Sequence, residues 1–338
     1  MLACAAIPAH AVTGSTKLTL RPGVGVQFHC TWNQSEGKRR AVASKLAAAG
    51  VQSVRIDFAW PSLEPRRGRL DRWYVALADR CVNLARSRGM TVLATLLWTP
   101  SWANRGRGDG APPTRVADFA WLARWSARHF RSRVAAWEIW NEPNVPRFWS
   151  GSVRRYVRLL RAGYRGVKAG DHNALVVFGG VTNNDDRWLS AAYRAGAHGS
   201  FDVLATHPYQ GVGDAAPETP DTGGDWWLLT HVPAVHELMA RHGDGAKPIW
   251  FTEFGWSVHP NTPGLALWQR GVTQEEQAAF LTRSITMMEL RYPYVEKAFW
   301  YKDATRPGED SIHAGYGLLR TDLTPRPAYT ALRALLLG

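Results

Sequence analysis

Short apolar runs alternate with longer stretches of helical periodicity from residue 24 to the C-terminus. The runs are "VGVQFHC" (24–30), "VQSVRIDF" (51–58), "TVLATLLW" (91–98), "VAAWEIW" (134–140), "ALVVFGG" (174–180), "FDVLATH" (201–207), "PIWFTEF" (248–254) and "EKAFWYK" (296–302). Each is brief, rich in β-branched or aromatic residues and apolar on both faces, which predicts parallel strands covered on both sides. Amphipathic segments separate them, among them "KRRAVASKLAAAG" and "DRWYVALADRCVNLARSRG", whose last residues, Gly50 and Gly89, fit left-handed helix stops. Eight strands and eight helices in strict alternation, with no Pro/Ser-rich linker and no internal repeat, predict a single (β/α)8 TIM barrel. The barrel is assigned to residues 21–338, behind a short segment 1–20. The glycines of "RPGVGVQ" precede the first strand, so they do not form the phosphate turn of a dinucleotide fold.

In such a barrel, chemistry gathers at the C-terminal ends of the strands. Strand one runs into His29, Thr31, Trp32 and Asn33, while strand two carries Arg55 and Asp57 and reaches Trp60. Strand three reaches Trp98 and Trp102, strand four Asn141 and Glu142, and strand five Asn183. His207 and Tyr209 follow strand six, Glu253 and Trp256 strand seven, and Trp300 and Lys302 strand eight. Flat rings beside carboxylates suit a sugar, whose C–H faces stack on aromatics while its hydroxyls need polar partners. Seventeen tryptophans decide little by number, since Trp121, Trp125 and Trp188 fall within helices. Those at strand ends are the candidates for sugar contact, Trp98, Trp256 and Trp300 among them, with His29 beside them.

Glu142 and Glu253 lie 111 positions apart, about three βα units, which sets them across one barrel mouth. Two carboxyl groups about 5–5.5 Å apart around a glycosidic bond perform retaining hydrolysis. One protonates the leaving oxygen with a pKa raised by its apolar surroundings; the other attacks the anomeric carbon.

The net charge of +13 raises the possibility of an anionic partner. All but seven of the 41 basic residues are arginines scattered along the chain, and no basic run interleaves with aromatics. A nucleic-acid partner is therefore not expected, although an acidic polymer stays open. No apolar window is long enough to span a membrane. Cys4, Cys30 and Cys81 lack metal-ligand spacing; Cys30 and Cys81 could pair in an exported protein, which their spacing does not establish. The N-terminal "MLACAAIPAHAV" carries Ala9-His10-Ala11, similar to a signal-cleavage pattern, and "MLAC" loosely resembles a lipoprotein acylation site. A secreted or envelope-associated protein is expected.

"WEIWNEPN" followed by "IWFTEFGWS" is similar to clan A of the retaining glycoside hydrolases, and "VRIDFAWPSLEPRRGRLD" resembles the matching region of families 39 and 5. The resemblance covers nearly the whole chain from about residue 22. It implies Glu142 as acid/base and Glu253 as nucleophile, with Asn141 on the sugar 2-hydroxyl. It implies further that Arg55 and Tyr209 hold Glu253 ionised, that His207 lines the site and that Trp300 floors it. A non-proline cis peptide is expected at Trp300–Tyr301. No cofactor or metal is expected, the partner is a polysaccharide or oligosaccharide, and the protein is expected to be a monomer. A metal-dependent barrel would need paired ligands such as His-x-His, and strand one offers only His29. A silent carbohydrate-binding barrel and a transglycosylase using the same residues are the alternatives. Linkage and endo or exo action depend on loops such as 102–114, 143–151, 209–226 and 256–272.

Overall fold

The computed structural model describes residues 23–224 and 227–338. The signal and acylation patterns of the N-terminus lie outside the described residues. Eight strands form a closed barrel in chain order, every neighbour parallel. They are β1 (Gly23–Gln27), β2 (Ser53–Ala59), β3 (Thr91–Leu97), β4 (Ala136–Asn141), β5 (Leu175–Thr182), β6 (Leu204–His207), β7 (Ile249–Phe254) and β8 (Val295–Trp300). A principal helix follows each: α1 (Glu36–Ala48), α2 (Arg72–Arg86), α3 (Val116–His129), α4 (Val153–Gly170), α5 (Asp186–Arg194), α6 (Val232–Arg241), α7 (Gln274–Arg291) and α8 (Pro327–Leu337). Short helical turns at Trp60–Leu63, Ser101–Asn104 and Ser311–Gly315 sit in the loops after β2, β3 and β8.

The helices start where side chains satisfy free amides. Ser35, Asp71 and Asp185 accept from backbone N–H groups three residues on, and Thr273 with Glu276 forms a reciprocal capping box. Gly50 and Gly89 take the left-handed conformation expected of the stops, with φ of 79° and 77°. No helix among the described residues is long and apolar enough to cross a membrane.

The barrel interior is layered. One layer is apolar and contains Leu93, Ala136, Val177, Val203, Ala205, Trp250 and Phe299. Nearer the C-terminal ends of the strands comes a layer of polar groups: Gln27, Arg55, Thr95, Glu138 and Thr252, all fully or almost fully buried. Above it the strand ends bend sharply. Trp98, Glu142 and Asn183, at the ends of β3, β4 and β5, have φ of 67°, 43° and 57°. Such left-handed conformations cost a non-glycine residue of order 1–3 kcal/mol and concentrate at functional sites.

Two features refine the sequence reading. The cis peptide is Tyr301–Lys302, one bond beyond the expected Trp300–Tyr301. Cys30 and Cys81 form a disulfide, with Cα atoms 5.8 Å apart, that ties the end of β1 to α2.

Candidate active site

Arg55, rising from β2 into the barrel, organises the polar layer. Its Nε donates to Glu138 Oε2 at 2.7 Å and its Nη2 to Asn141 Oδ1 at 2.7 Å. Its Nη1 donates to Gln27 Oε1 at 2.8 Å and to Glu253 Oε1 at 2.6 Å. Burial opposes the positive charge on Arg55, but Glu138 and Glu253 outweigh it and hold the guanidinium firmly protonated. A fork saturated in this way cannot swing, so Glu253 and Asn141 are fixed relative to each other. Because Asn141 accepts with its oxygen, its amide NH2 is the group free to donate to a sugar hydroxyl.

Glu253 receives a second bond, 2.8 Å long, from the Tyr209 hydroxyl to Oε2. Burial pushes its carboxyl above the ordinary glutamate value, outweighing the pull of His207 and Arg55 in the other direction. The resemblance implied that Arg55 and Tyr209 hold this group ionised; both act in that sense, yet burial wins. Tyr209, Tyr301 and Tyr316 cluster edge to face with ring centroids 5.5–6.3 Å apart. Burial beside Glu253 pushes all three phenols up, so they remain neutral hydrogen-bond donors.

Glu142, just past the end of β4, meets His207 of β6: Nδ1 lies 2.8 Å from Glu142 Oε1 and 3.9 Å from Glu253 Oε2. The other ring nitrogen, Nε2, lies 3.0 Å from Thr252 Oγ1, and that hydroxyl lies 2.7 Å from Glu138 Oε1. These bonds have only one consistent direction. A carboxylate accepts, so Thr252 donates to Glu138; its oxygen then accepts, so His207 Nε2 carries hydrogen. Only the proton between His207 Nδ1 and Glu142 is left mobile. Burial alone would lower the proton affinity of His207, but Glu253 and Glu142 overcome it and raise it. Gly180 on β5 makes the arrangement possible, since a Cβ there would lie 2.1 Å from His207 Nε2.

Glu138 was not anticipated in the sequence. It sits wholly buried beneath the two glutamates and accepts from Arg55, Thr95, Thr252 and the Gly180 amide. The signal was a charged residue inside the apolar run "VAAWEIW", which a strand covered on both faces tolerates only with a partner.

Other expected substrate contacts are placed differently. His29 is buried; it donates through Nδ1 to Asp303 Oδ1 at 3.1 Å and meets Trp32 edge on. Burial lowers its proton affinity, so it is a neutral support for the rim. Trp256 and Trp300 are also buried, packed on Phe280 and Phe254 and donating to the carbonyls of Ala215 and Tyr316. Neither offers a ring face as a sugar floor. His207 likewise has no exposed surface and acts on the glutamates. Trp98 remains half-exposed, its ring held between Phe148 and the Arg147 guanidinium.

Glu142, His207 and Glu253 each bring one oxygen or nitrogen within 4.8 Å of the other two. Among the described residues this is the only group compact enough for a metal. Its oxygens already face Arg55, Tyr209 and His207, which hold them by hydrogen bonds.

Residues 18–289 match the family described as cellulase (glycosyl hydrolase family 5). A β-xylosidase of Caldicellulosiruptor saccharolyticus is 26% identical over 68% of this chain and 48% of its own length. A β-xylosidase of Geobacillus stearothermophilus is 22% identical over 67% of this chain and 47% of its own. The chain thus spans about half the length of these curated relatives. Among solved structures, a family 39 glycoside hydrolase from Bacteroides cellulosilyticus WH2 superimposes with a TM-score of 0.73. It is 23% identical, over 94% of this chain and 64% of the other.

Proposed function

The chain belongs to the cellulase family, glycosyl hydrolase family 5, and from that membership we propose a retaining glycosidase that cleaves an extracellular or cell-envelope polysaccharide by double displacement. The distance between the two carboxyl groups carries this reading. Retaining enzymes hold them about 5–5.5 Å apart and inverting enzymes about 6.5–9.5 Å; here one oxygen of Glu142 and one of Glu253 lie within 4.8 Å of each other, which supports two groups that close on a single anomeric carbon.

Glu253 attacks the anomeric carbon, and the bond to the leaving oxygen breaks as Glu142 delivers its proton to that oxygen. A glycosyl ester on Glu253 results. Water then attacks the same carbon, gives its proton to Glu142, and releases the Glu253 carboxylate. The Asn141 amide is placed to donate to a hydroxyl of the bound sugar. Both curated relatives are named as β-xylosidases, so an aryl β-xyloside is the first substrate to test. The Cys30–Cys81 disulfide supports export, since such bonds persist in oxidising compartments.

The test replaces each glutamate by alanine and follows aryl β-glycosides with and without azide. Both variants should lose turnover. Azide should restore it, giving inverted glycosyl azide from Glu253→Ala and retained glycosyl azide from Glu142→Ala. Near-normal hydrolysis by Glu253→Ala, or the opposite pairing of products, overturns the assignment.

A further inference from the structure

A groove of about 670 Å³ opens beside the catalytic mouth, between the loop after β1 and the start of α2. Neither glutamate lines it. That volume lies within the range of small-molecule binding sites, about 300–1,000 Å³. Two indoles border it that fold stability does not require to be open: Trp32 is 45% exposed and Trp73 68%. The Trp32 ring is held in place, with the Arg306 guanidinium 4.2 Å from its centroid and the edge of His29 against it.

The charge of the groove is one-sided. Glu36 is approached by Arg40 at 3.2 Å, Arg39 at 3.8 Å and Arg80 at 3.9 Å. One carboxylate shared by three guanidiniums leaves two positive charges uncompensated. Arg39 is buried and committed to the carbonyls of Cys30 and Trp32, so it is part of the wall. Arg40 and Arg80 are exposed, and their surplus charge faces the solvent. Asp79, the acid next to Arg80 in sequence, is engaged elsewhere by His129 and Arg133.

The two walls are also covalently joined. Cys30 directly precedes the loop that carries Trp32, Cys81 directly follows Arg80, and the two form the disulfide. The crosslink holds the two walls of the groove together, which preorganisation rewards in binding.

We propose that this groove is a second carbohydrate-binding site, specific for a chain that bears carboxylate sugars: pyranose faces stack on Trp32 and Trp73, and a uronate carboxylate pairs with Arg40 and Arg80. The ring faces supply affinity for sugar in general, and the two exposed guanidiniums, which have only the Glu36 carboxylate between them and Arg39, select acid-bearing units. The site adjoins the mouth, so it draws an acidic polysaccharide towards Glu142 and Glu253. It deepens the glycosidase reading and rests on it only for that last step.

The experiment measures binding separately from hydrolysis. Titration calorimetry of the intact protein uses tetragalacturonate, the neutral chain cellotetraose, and polyglutamate as a polyanion without sugar rings. Tetragalacturonate is expected to bind more tightly than either. Trp73→Ala should weaken tetragalacturonate and cellotetraose roughly tenfold and leave polyglutamate unchanged. Arg40→Gln with Arg80→Gln should weaken tetragalacturonate and leave cellotetraose unchanged. Aryl-glycoside hydrolysis should stay at the wild-type rate in both variants, because the substituted side chains are exposed and line a groove that neither glutamate enters. The proposal is overturned if Trp73→Ala binds tetragalacturonate as the parent does, or if polyglutamate matches tetragalacturonate. Binding that follows this pattern without any glycosidase activity would sustain the groove and remove the catalytic reading instead.

Discussion

Thr252→Val exchanges one buried hydroxyl for a methyl group of similar size and leaves the rest of the site in place. Two hydrogen bonds are lost, from Thr252 to Glu138 at 2.7 Å and from His207 Nε2 to Thr252 at 3.0 Å. Leaving the Nε2 hydrogen buried without an acceptor costs about 1–3 kcal/mol. The ring avoids that cost by carrying its hydrogen on Nδ1, where it donates to Glu142 and takes the place of the acid's own proton. That shift withdraws proton donation from the leaving group, and restoring the donating form costs the same, about 1–3 kcal/mol, slowing the step roughly 5- to 150-fold. The loss should depend on the substrate. Measured as kcat/KM across aryl glycosides, it should be full for a poor leaving group such as phenol and absent for dinitrophenol, which departs without a proton. Thr252→Ser, which keeps the hydroxyl, should restore the phenyl substrate. An equal loss on both substrates in a variant with an unchanged melting temperature would refute the proposed direction of these hydrogen bonds.

The pH profile should show the raised proton affinity of Glu253: the attacking group must be ionised, so kcat/KM falls as pH drops through its pKa. That acidic limb should lie above the value of about 4.3 for an exposed glutamate, and Tyr209→Phe, which removes a bond to the carboxylate, should move it higher still; a limb at or below the ordinary value contradicts the burial argument. Cutting the Cys30–Cys81 disulfide, whose cysteines are 51 positions apart, should lower stability by about 4 kcal/mol from loop-closure entropy, read by denaturant unfolding of Cys30→Ala/Cys81→Ala against the parent.

The architecture was legible because every strand of the barrel is short, apolar on both faces and bounded by polar turns. Ser53–Ala59 and Ile249–Phe254 lie within two residues of the segments expected for them. The sixth strand begins later than expected, at Leu204, with Val203 contributing only an isolated bridge to Val177. The convergence of Arg55, Tyr209 and Glu253 could be anticipated because each falls at the same end of its strand. Ring exposure could not be anticipated that way. Trp300 is covered by Phe254, Trp256 and the Tyr316 backbone, and the last of these comes from a loop whose course no local pattern specifies. The burial of His29 was hidden for the same reason, since its partner Asp303 is 274 positions away. Tyr301 and Tyr316 carried no signal at all: an aromatic in a loop reads alike whether it faces solvent or a carboxylate. Glu138 and Thr252 were legible in principle, as polar residues inside runs that have to be buried.

The buried charges explain how two residues can serve opposite roles in successive steps. Stability alone does not account for burying Arg55 and Glu138, because burying ion pairs carries a desolvation cost that their attraction barely repays. What the pair supplies is position and sign. Arg55 is flanked by Glu138, Glu253 and, at 3.8 Å, Asp57, so acidic groups outnumber the one guanidinium around the His207–Glu142 pair and leave a surplus of negative charge. That surplus favours the positive charge that builds on the sugar as the glycosidic bond breaks. It also raises the proton affinity of His207, to which Glu253 is a principal contributor. In the proposed double displacement, Glu253 loses its charge when the ester forms, and its contribution to holding the shared proton disappears with it. The proton given to the departing group is therefore not recaptured from it. When water attacks and the Glu253 carboxylate re-forms, the same coupling runs in reverse, and the His207–Glu142 pair takes the proton of that water. Acid in one step and base in the next then arise from the charge on a single neighbouring carboxyl, with no movement of the fold.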